Sequence, residues 1–227
     1  MNRFYFVRHG ENWANITKEF SYKLVDYSLT PKGVLQAEQT AEAFAGVPLA
    51  AIYTSPLKRA AETAAILGAR LGVPVHTREA LREINVGAME GLAPTVEAWR
   101  RYMRVVDAWA AGDLAASFPD GDSFHTLWAR LRSALAQIID EQPGAPVLIV
   151  AHGGIFTSTL TALCPSADAA LLREPNHNCS ISEILVKRRG DALYGELVGW
   201  AACGHLSGEA ALMTPAAPDL SSTDEPH

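Results

Sequence analysis

At 227 residues, with 48% hydrophobic and 19% charged residues, the chain is long enough for one substantial core and is globular in composition. A formal net charge of -6 without a long run of like charge gives no footing to a nucleic-acid surface or a polybasic membrane patch, so neither nucleic acid nor membrane is an expected partner. An acidic chain can still take an anion if it gathers its few cations in one cleft.

The four apolar residues Phe4-Tyr5-Phe6-Val7 suit a short strand and are too few for a signal-peptide core, and no stretch reaches the length of a membrane span, so a cytoplasmic location is expected. Arg8-His9-Gly10-Glu11 follows directly and sets a guanidinium beside an imidazole at the strand end. Arginine offers planar, permanently charged donors that match phosphoryl oxygens, and a neutral histidine offers a nitrogen nucleophile near pH 7. Helical periodicity runs from about 31 to 45, and again from 56 to 71 after the apolar run Ala50–Tyr53. Thr30-Pro31 and Ser55-Pro56 each have the form of an N-cap followed by proline at the first helical position. Residues 84 to about 120 form a mostly helical interruption whose Trp99, Tyr102, Met103, Val106 and Trp109 recur near successive turns, a stripe suited to core or lid packing.

A further helix is expected over 122 to 141, then an apolar strand at Val147–Ala151 that ends in His152-Gly153-Gly154. Segments near 181 to 187 and 193 to 199, separated by Arg188-Arg189-Gly190-Asp191, read as a hairpin. From Ser207 onward the chain is rich in Ala, Pro, Ser and Asp, so residues 1–206 are expected to form one domain and 207–227 a disordered tail. Cys164, Cys179 and Cys203 lack metal-ligand spacing and read as free thiols, with Cys179 a packing residue because no base stands beside it in the sequence. This alternation argues for a three-layer α/β/α sandwich with a mainly parallel sheet. Ligands bind such sheets beyond the carboxyl ends of the strands, so Arg8-His9, Thr54-Ser55 and His152-Gly153-Gly154 can face one crevice.

Several of these residues belong to an ordered series. Arg8-His9-Gly10-Glu11, Asn15, Thr30-Pro31-Lys32-Gly33, Thr54-Ser55-Pro56-Leu57-Lys58-Arg59-Ala60, Leu81-Arg82-Glu83, Met89-Glu90-Gly91, Gly121-Asp122-Ser123 and Val150-Ala151-His152-Gly153-Gly154 are its members. From residue 4 to about 206 the series resembles the histidine phosphatase superfamily, the phosphoglycerate-mutase-like enzymes. The resemblance makes residues 84 to 120 an insertion over the active site. It implies His9 as nucleophile, Arg8 and Arg59 as clamps on the phosphoryl oxygens, His152 as a second imidazole and Glu83 as general acid and base. Asn15 and Asn178 resemble polar residues that contact phosphate in this family, and Gly153 would let a phosphate approach backbone N–H groups at a helix start. His205-Leu206 matches the family's C-terminal pattern and is expected to orient or pack.

Three departures concern the substrate side. Asn12 stands where the family usually has Thr, a Gln-Gly pair expected before Asp26 is replaced by Ser21-Tyr22-Lys23, and Asp122 stands for the usual Glu. In the same loop Trp13, Phe20, Tyr22 and Tyr27 can either stack on an aromatic or sugar substrate or pack. The expected activity is hydrolysis of a small phosphorylated metabolite through a phosphohistidine, without metal or other cofactor. A mutase-type phosphoryl transfer and a non-catalytic phosphate-binding or regulatory member are the alternatives. The stretch Ile84-Asn85-Val86-Gly87-Ala88-Met89-Glu90-Gly91 resembles the phosphatase branch, and a metallophosphatase would need an Asp/His cluster at ligand spacing that the sequence lacks. The partner expected is a small phosphate ester, with homodimerisation left open.

Overall fold

Strand β1 (Asn2–Arg8) lies near the middle of a six-stranded sheet built with β2 (Ala51–Thr54), β3 (Val75–Thr77), β4 (Val147–Ala151), β5 (Ile181–Arg189) and β6 (Ala192–Ala202). In this computed structural model, which describes residues 1–168, 170–171, 174–215 and 217–220, the strand order is β3-β2-β4-β1-β5-β6. β1, β2, β3 and β4 pair in parallel, and the β5–β6 hairpin adds antiparallel to β1. The expected mainly parallel sheet and closing hairpin are both present.

The parallel strands are apolar on both faces because helices cover both. Phe4, Phe6, Tyr53 and Ile149 pack into one cluster with Leu127, Leu131 and Leu135 of α5 (Phe124–Glu141) and Ile155 and Leu160 of α6 (Gly153–Leu163). Val7, Ile52, Leu148 and Val150 pack into a second cluster with Ala37 and Ala41 of α2 (Pro31–Ala43) and Ala60, Ala64 and Leu67 of α3 (Lys58–Leu71). These are the two outer layers of the α/β/α sandwich. The chain leaving β1 turns toward the α2–α3 layer, and the chain leaving β4 turns into α6 on the other. The carboxyl ends of β1 and β4 therefore open a crevice at a topological switch point.

Thr30 caps α2 through its hydroxyl, which accepts the Gly33 N–H, and Pro31 occupies the first turn as expected. Ser55-Pro56 behaves differently. α3 begins two residues later, at Lys58 after Leu57, because the Ser55 hydroxyl is engaged with His152 and with the Leu57 N–H. A carboxylate from elsewhere, Asp26, accepts the Lys58 N–H at that helix start. Short α1 (Trp13–Thr17) is capped by Asn12, which explains the departure at that position: Asn12 and Asn15 exchange side-chain and backbone hydrogen bonds. The expected insertion folds as α4 (Val96–Ala110) over the crevice.

The C-terminal stretch differs from the disorder expected of its composition. Gly208–Ala211 form a 3-10 turn that buries Ala210, and Leu212, Thr214 and Pro215 make hydrogen bonds to Lys32, Glu11 and Lys18. Short apolar and polar residues suffice because the partners are preformed cationic and anionic groups on the body. Residues 221–227 lie outside the described residues.

Candidate active site

β1 delivers Arg8 and His9 to the crevice. The His9 N–H donates to the Ala151 carbonyl at 2.9 Å, so the residue after β1 is still tied to the end of β4. The turn then crosses the start of α2 so closely that a Cβ on Gly10 would lie 2.5 Å from the Gly33 carbonyl oxygen, and one on Gly33 would lie 2.0 Å from that of Glu11. Only two glycines permit this crossing. Thr63 of α3 accepts the Gly10 N–H at 3.0 Å, and Asn178 donates to the His9 carbonyl at 3.0 Å.

The imidazole of His9 is oriented at both nitrogens. Nδ1 lies 2.7 Å from the Gly10 carbonyl, which can only accept, so Nδ1 carries the proton and Nε2 holds a lone pair. Arg59 Nε donates to that Nε2 at 3.1 Å. Burial holds the pKa of His9 well below the ordinary histidine value, and the Arg59 and Arg8 guanidinium groups push it the same way. His9 is therefore a neutral imidazole with its free electron pair facing a guanidinium. Arg59 is itself held by Ser21, donating to its hydroxyl at 2.8 Å and its carbonyl at 2.9 Å. Its pKa is brought down to about 10 by burial, which leaves it charged at neutral pH. Glu62, a possible intrahelical partner for it, instead accepts the Leu29 N–H.

Arg8 is buried, and its Nη1 donates to the Asn176 carbonyl. Its Nε, together with Asn12 Nδ2, is a buried donor with no partner among the described residues. Both side chains line the cleft, where an anion would satisfy them. Asn15 also lines it, its side-chain oxygen accepting from Asn178 Nδ2 at 3.0 Å. Asn178 thus joins the His9 turn to the Asn15 helix, and sequence reasoning had placed it at the cleft without this bridging contact.

Glu83 lies at the start of α6. Its two carboxylate oxygens accept the N–H groups of Gly154 at 3.0 Å and Ile155 at 2.8 Å, and Oε1 also accepts that of Ile84. The helix-start amides beside Gly153-Gly154, expected to meet phosphate, are therefore occupied by Glu83. Gly153 itself lines the cleft and lets the Arg8 side chain pass, with Arg8 Cδ 3.3 Å from where its Cβ would stand. Glu90, the carboxylate of the Met89-Glu90-Gly91 segment, is not among the residues that line the cleft. Its Oε1 accepts the backbone N–H groups of Tyr22, Lys23, Leu24 and Val25.

His152, for which the family resemblance implies a hydrogen bond to the transferring group, is fully buried behind the residues that line the cleft. Its ring centroid is 5.2 Å from that of His9, its Nε2 is 2.8 Å from the Ser55 hydroxyl, and its Nδ1 has no partner among the described residues. Burial, then Arg59 and His9, hold its pKa well below the ordinary value. His205 contacts the Thr40 hydroxyl away from these groups, and Asp122 accepts the Asn85 N–H and pairs with Arg130, a structural use. The Cys179 thiol is buried and pushed up to about 12, chiefly by that burial.

The cleft encloses about 680 Å³. Its far wall comes from α4 and the loop between α1 and α2: Phe20 stands 4.8 Å from Trp99 and 5.6 Å from Tyr102 by ring centroids. Of the loop aromatics singled out from the sequence, Phe20 alone lines the cleft; Trp13 and Tyr27 are exposed, and Arg82 lies over the Tyr22 ring. Sequence reasoning missed Ser21, which holds Arg59, and Met213 and Pro215, which reach the cleft from the C-terminal stretch. No local pattern marks them, since each acquires its role only through the tertiary fold.

A deeply buried, oriented histidine flanked by two arginines at the crevice of an α/β sheet makes a cationic pocket suited to a phosphoryl group. The model of the histidine phosphatase superfamily (branch 1) matches residues 4–195, and the chain belongs to that family. Over 192 residues, covering 81% of this chain and 85% of the relative, it is 33% identical to a probable phosphoglycerate mutase GpmB of Yersinia enterocolitica. Among solved structures it is similar to Bacillus stearothermophilus YhfR, with a TM-score of 0.74 and 28% identity over 90% of this chain and 99% of that one. It is likewise similar to a mycobacterial glucosyl-3-phosphoglycerate phosphatase complexed with VO3, with a TM-score of 0.74 and 28% identity over 89% and 100% of the two chains. Family and neighbours support catalysis of the phosphatase or mutase type. Among the described residues no helix is long and apolar enough to cross a membrane.

Proposed function

We propose that this chain hydrolyses a phosphate monoester through a phosphohistidine on His9, with no metal or other cofactor. The observation that carries the reading is the His9 ring: Nδ1–H is fixed on the Gly10 carbonyl, and the lone pair of Nε2 is directed at the Arg59 guanidinium. Arg59 and the free Nε of Arg8 take the non-bridging oxygens and bring phosphorus to Nε2. Asn12 and Asn15 add neutral contacts. The N–P bond forms as the bond from phosphorus to the leaving oxygen breaks, and Glu83 gives that oxygen its proton. Water then attacks the phosphohistidine, Glu83 takes the water's proton, and the N–P bond breaks to release phosphate. His152 supplies a second neutral imidazole beside the reacting one, and Asn178 and Gly153 keep the turn and the Arg8 side chain in place.

Relatives support both phosphatase and mutase chemistry, and hydrolysis is preferred because the segment after Glu83 resembles the phosphatase branch. A mutase reading is favoured by the name of the 33%-identical relative. Wild type and His9→Ala, assayed in parallel on p-nitrophenyl phosphate with acid-quenched recovery of alkali-stable phosphoprotein, test the proposal. The expected result is a fall in kcat of at least ~10³-fold and loss of the label in the variant. Hydrolysis that survives His9→Ala removes His9 as nucleophile, and interconversion of 2- and 3-phosphoglycerate without net hydrolysis selects the mutase. Unchanged activity in EDTA is also expected, and a loss restored by added metal defeats the mechanism.

A further inference from the structure

The reacting end of the cleft is cationic, but the end that would hold the leaving group is not. Arg8 and Arg59 are the only cationic side chains that line the cleft among the described residues, and both face His9. The neighbouring cations are committed elsewhere. Lys18 donates to the carbonyls of Asn15 and Pro215, Lys32 pairs with Glu11, and Arg82 pairs with Glu79 and donates to the Tyr22 carbonyl. Arg130 is tied to three backbone carbonyls and Asp122. Beyond the phosphate, the charged groups on the lining are the carboxylates of Glu19, Glu83 and Glu174.

The α4 side of that end is aromatic and apolar, and the polar groups opposite it, Thr157, Ser158, Asn176 and His177, are uncharged or, for His177, held below its ordinary pKa chiefly by burial. Phe20 packs ring against ring with Trp99 at an interplanar angle of 36° and stacks on Tyr102, which stands one turn further along α4, and all three line the cleft. Burial pushes the Tyr102 phenol well above its ordinary pKa, so it stays a neutral hydroxyl. Met103 and Val106 extend the wall along the same helix. A second carboxylate or phosphate on a substrate would leave water for a surface that offers no cation and would face Glu19 and Glu174. An uncharged ring would gain apolar burial and ring contact.

Resting on the phosphomonoesterase reading, we infer that the substrate is the phosphate monoester of an uncharged, ring-bearing alcohol, selected by the Phe20–Trp99–Tyr102 wall, and not a phosphorylated carboxylic acid. Calorimetric titration of His9→Ala with 1-naphthyl phosphate and with 3-phosphoglycerate reads this selection without turnover. Binding of the naphthyl ester is expected to be at least about tenfold tighter, and Trp99→Ala in the same background to remove most of that margin. Glu19→Gln is expected to narrow that margin severalfold by improving binding of 3-phosphoglycerate. The ratio of kcat/KM for the two esters with wild type provides the same comparison should His9→Ala fail to fold. Equal or tighter binding of 3-phosphoglycerate, or a margin indifferent to Trp99, overturns the inference. A naphthyl preference in binding with no hydrolysis by wild type would leave this inference standing and defeat the hydrolase reading. Hydrolysis with a preference for 3-phosphoglycerate would do the reverse.

Discussion

Burial of His9 and His152 couples the site to stability. Each is neutral in the fold because desolvation outweighs everything that would favour its cation, and the nearby guanidinium groups act in the same direction. In the unfolded chain both return to an ordinary pKa of about 6.5, so as pH falls through that value the unfolded state takes up protons that the native state refuses. The stabilisation is complete above the unfolded pKa and drains away below it. Between pH 7.5 and 5.5 each such histidine should withdraw about 1.4 kcal/mol, as long as its folded pKa stays below that window. Urea unfolding at the two pH values is expected to show this loss, and His152→Asn to lose about 1.4 kcal/mol less than wild type over the same interval. An equal loss in the variant would mean that His152 takes up a proton in the native state. The same residues show what could be read early. Arg8, His9, Arg59 and Glu83 carry their chemistry in residue type and in the strand or turn that presents them, and they meet where the strand ends meet. The depth of His152 was hidden, because a strand followed by His-Gly-Gly says where a residue leaves the sheet and not how many layers cover it.

At the scale of elements, one carboxylate gathers the turn at residues 22–25 of the loop between α1 and α2. Glu90 Oε1 accepts four successive backbone N–H groups from Tyr22 to Val25, at distances from 2.6 to 3.2 Å. Ser21, at the edge of that cage, holds both terminal nitrogens of Arg59, which in turn holds His9 Nε2. Glu90 is therefore a positioning residue that acts through the loop. Glu90→Ala would leave four amides without their acceptor, and a loosened Ser21 would free Arg59 from its place on His9 Nε2. We expect kcat/KM to fall by roughly 10- to 100-fold, with faster proteolytic cleavage at residues 22–25, and Glu90→Gln to recover part of both because it retains one acceptor oxygen. Unchanged cleavage alongside lost activity would place Glu90 in the chemistry itself. This arrangement was not legible in the sequence, since Glu90 stands 65 to 68 positions from its partners and nothing in the segment Met89-Glu90-Gly91 names them. The long periodic helices and the apolar strands were legible because burial on one or both faces imposes a pattern. β3, with three residues, and α1, with five, are too short to show one.

For the whole molecule, the chain after β6 returns across the mouth of the cleft. Glu11, Lys32 and Thr214 form a latch: Lys32 Nζ lies 2.6 Å from Glu11 Oε2 and donates to the Leu212 carbonyl, and the Thr214 hydroxyl donates to Glu11. Burial pushes Glu11 up, but hydrogen bonds from Lys32, Thr214 and Thr30 outweigh it and hold the carboxyl below its ordinary value. From this latch the chain runs past Lys18, which donates to the Pro215 carbonyl, to Arg100 on α4, which donates to that of Leu220. On the way Met213, Pro215 and Ala217 close one side of the cleft. Its contacts to the body are mostly backbone carbonyls taking cationic donors near solvent, and such contacts add little to global stability. Their larger effect is to complete the wall. Removing residues 212–227 should therefore leave the unfolding free energy within about 1 kcal/mol of the full chain, because Ala210 and the Lys32–Glu11 pair remain. Hydrolysis of p-nitrophenyl phosphate should persist, while the preference for larger ring-bearing esters falls by several-fold as the apolar surface of Met213, Pro215 and Ala217 is lost. A truncated chain that unfolds several kcal/mol more easily would show the segment to be core, and one with unchanged selectivity would show that α4 and Phe20 shape the cleft without it.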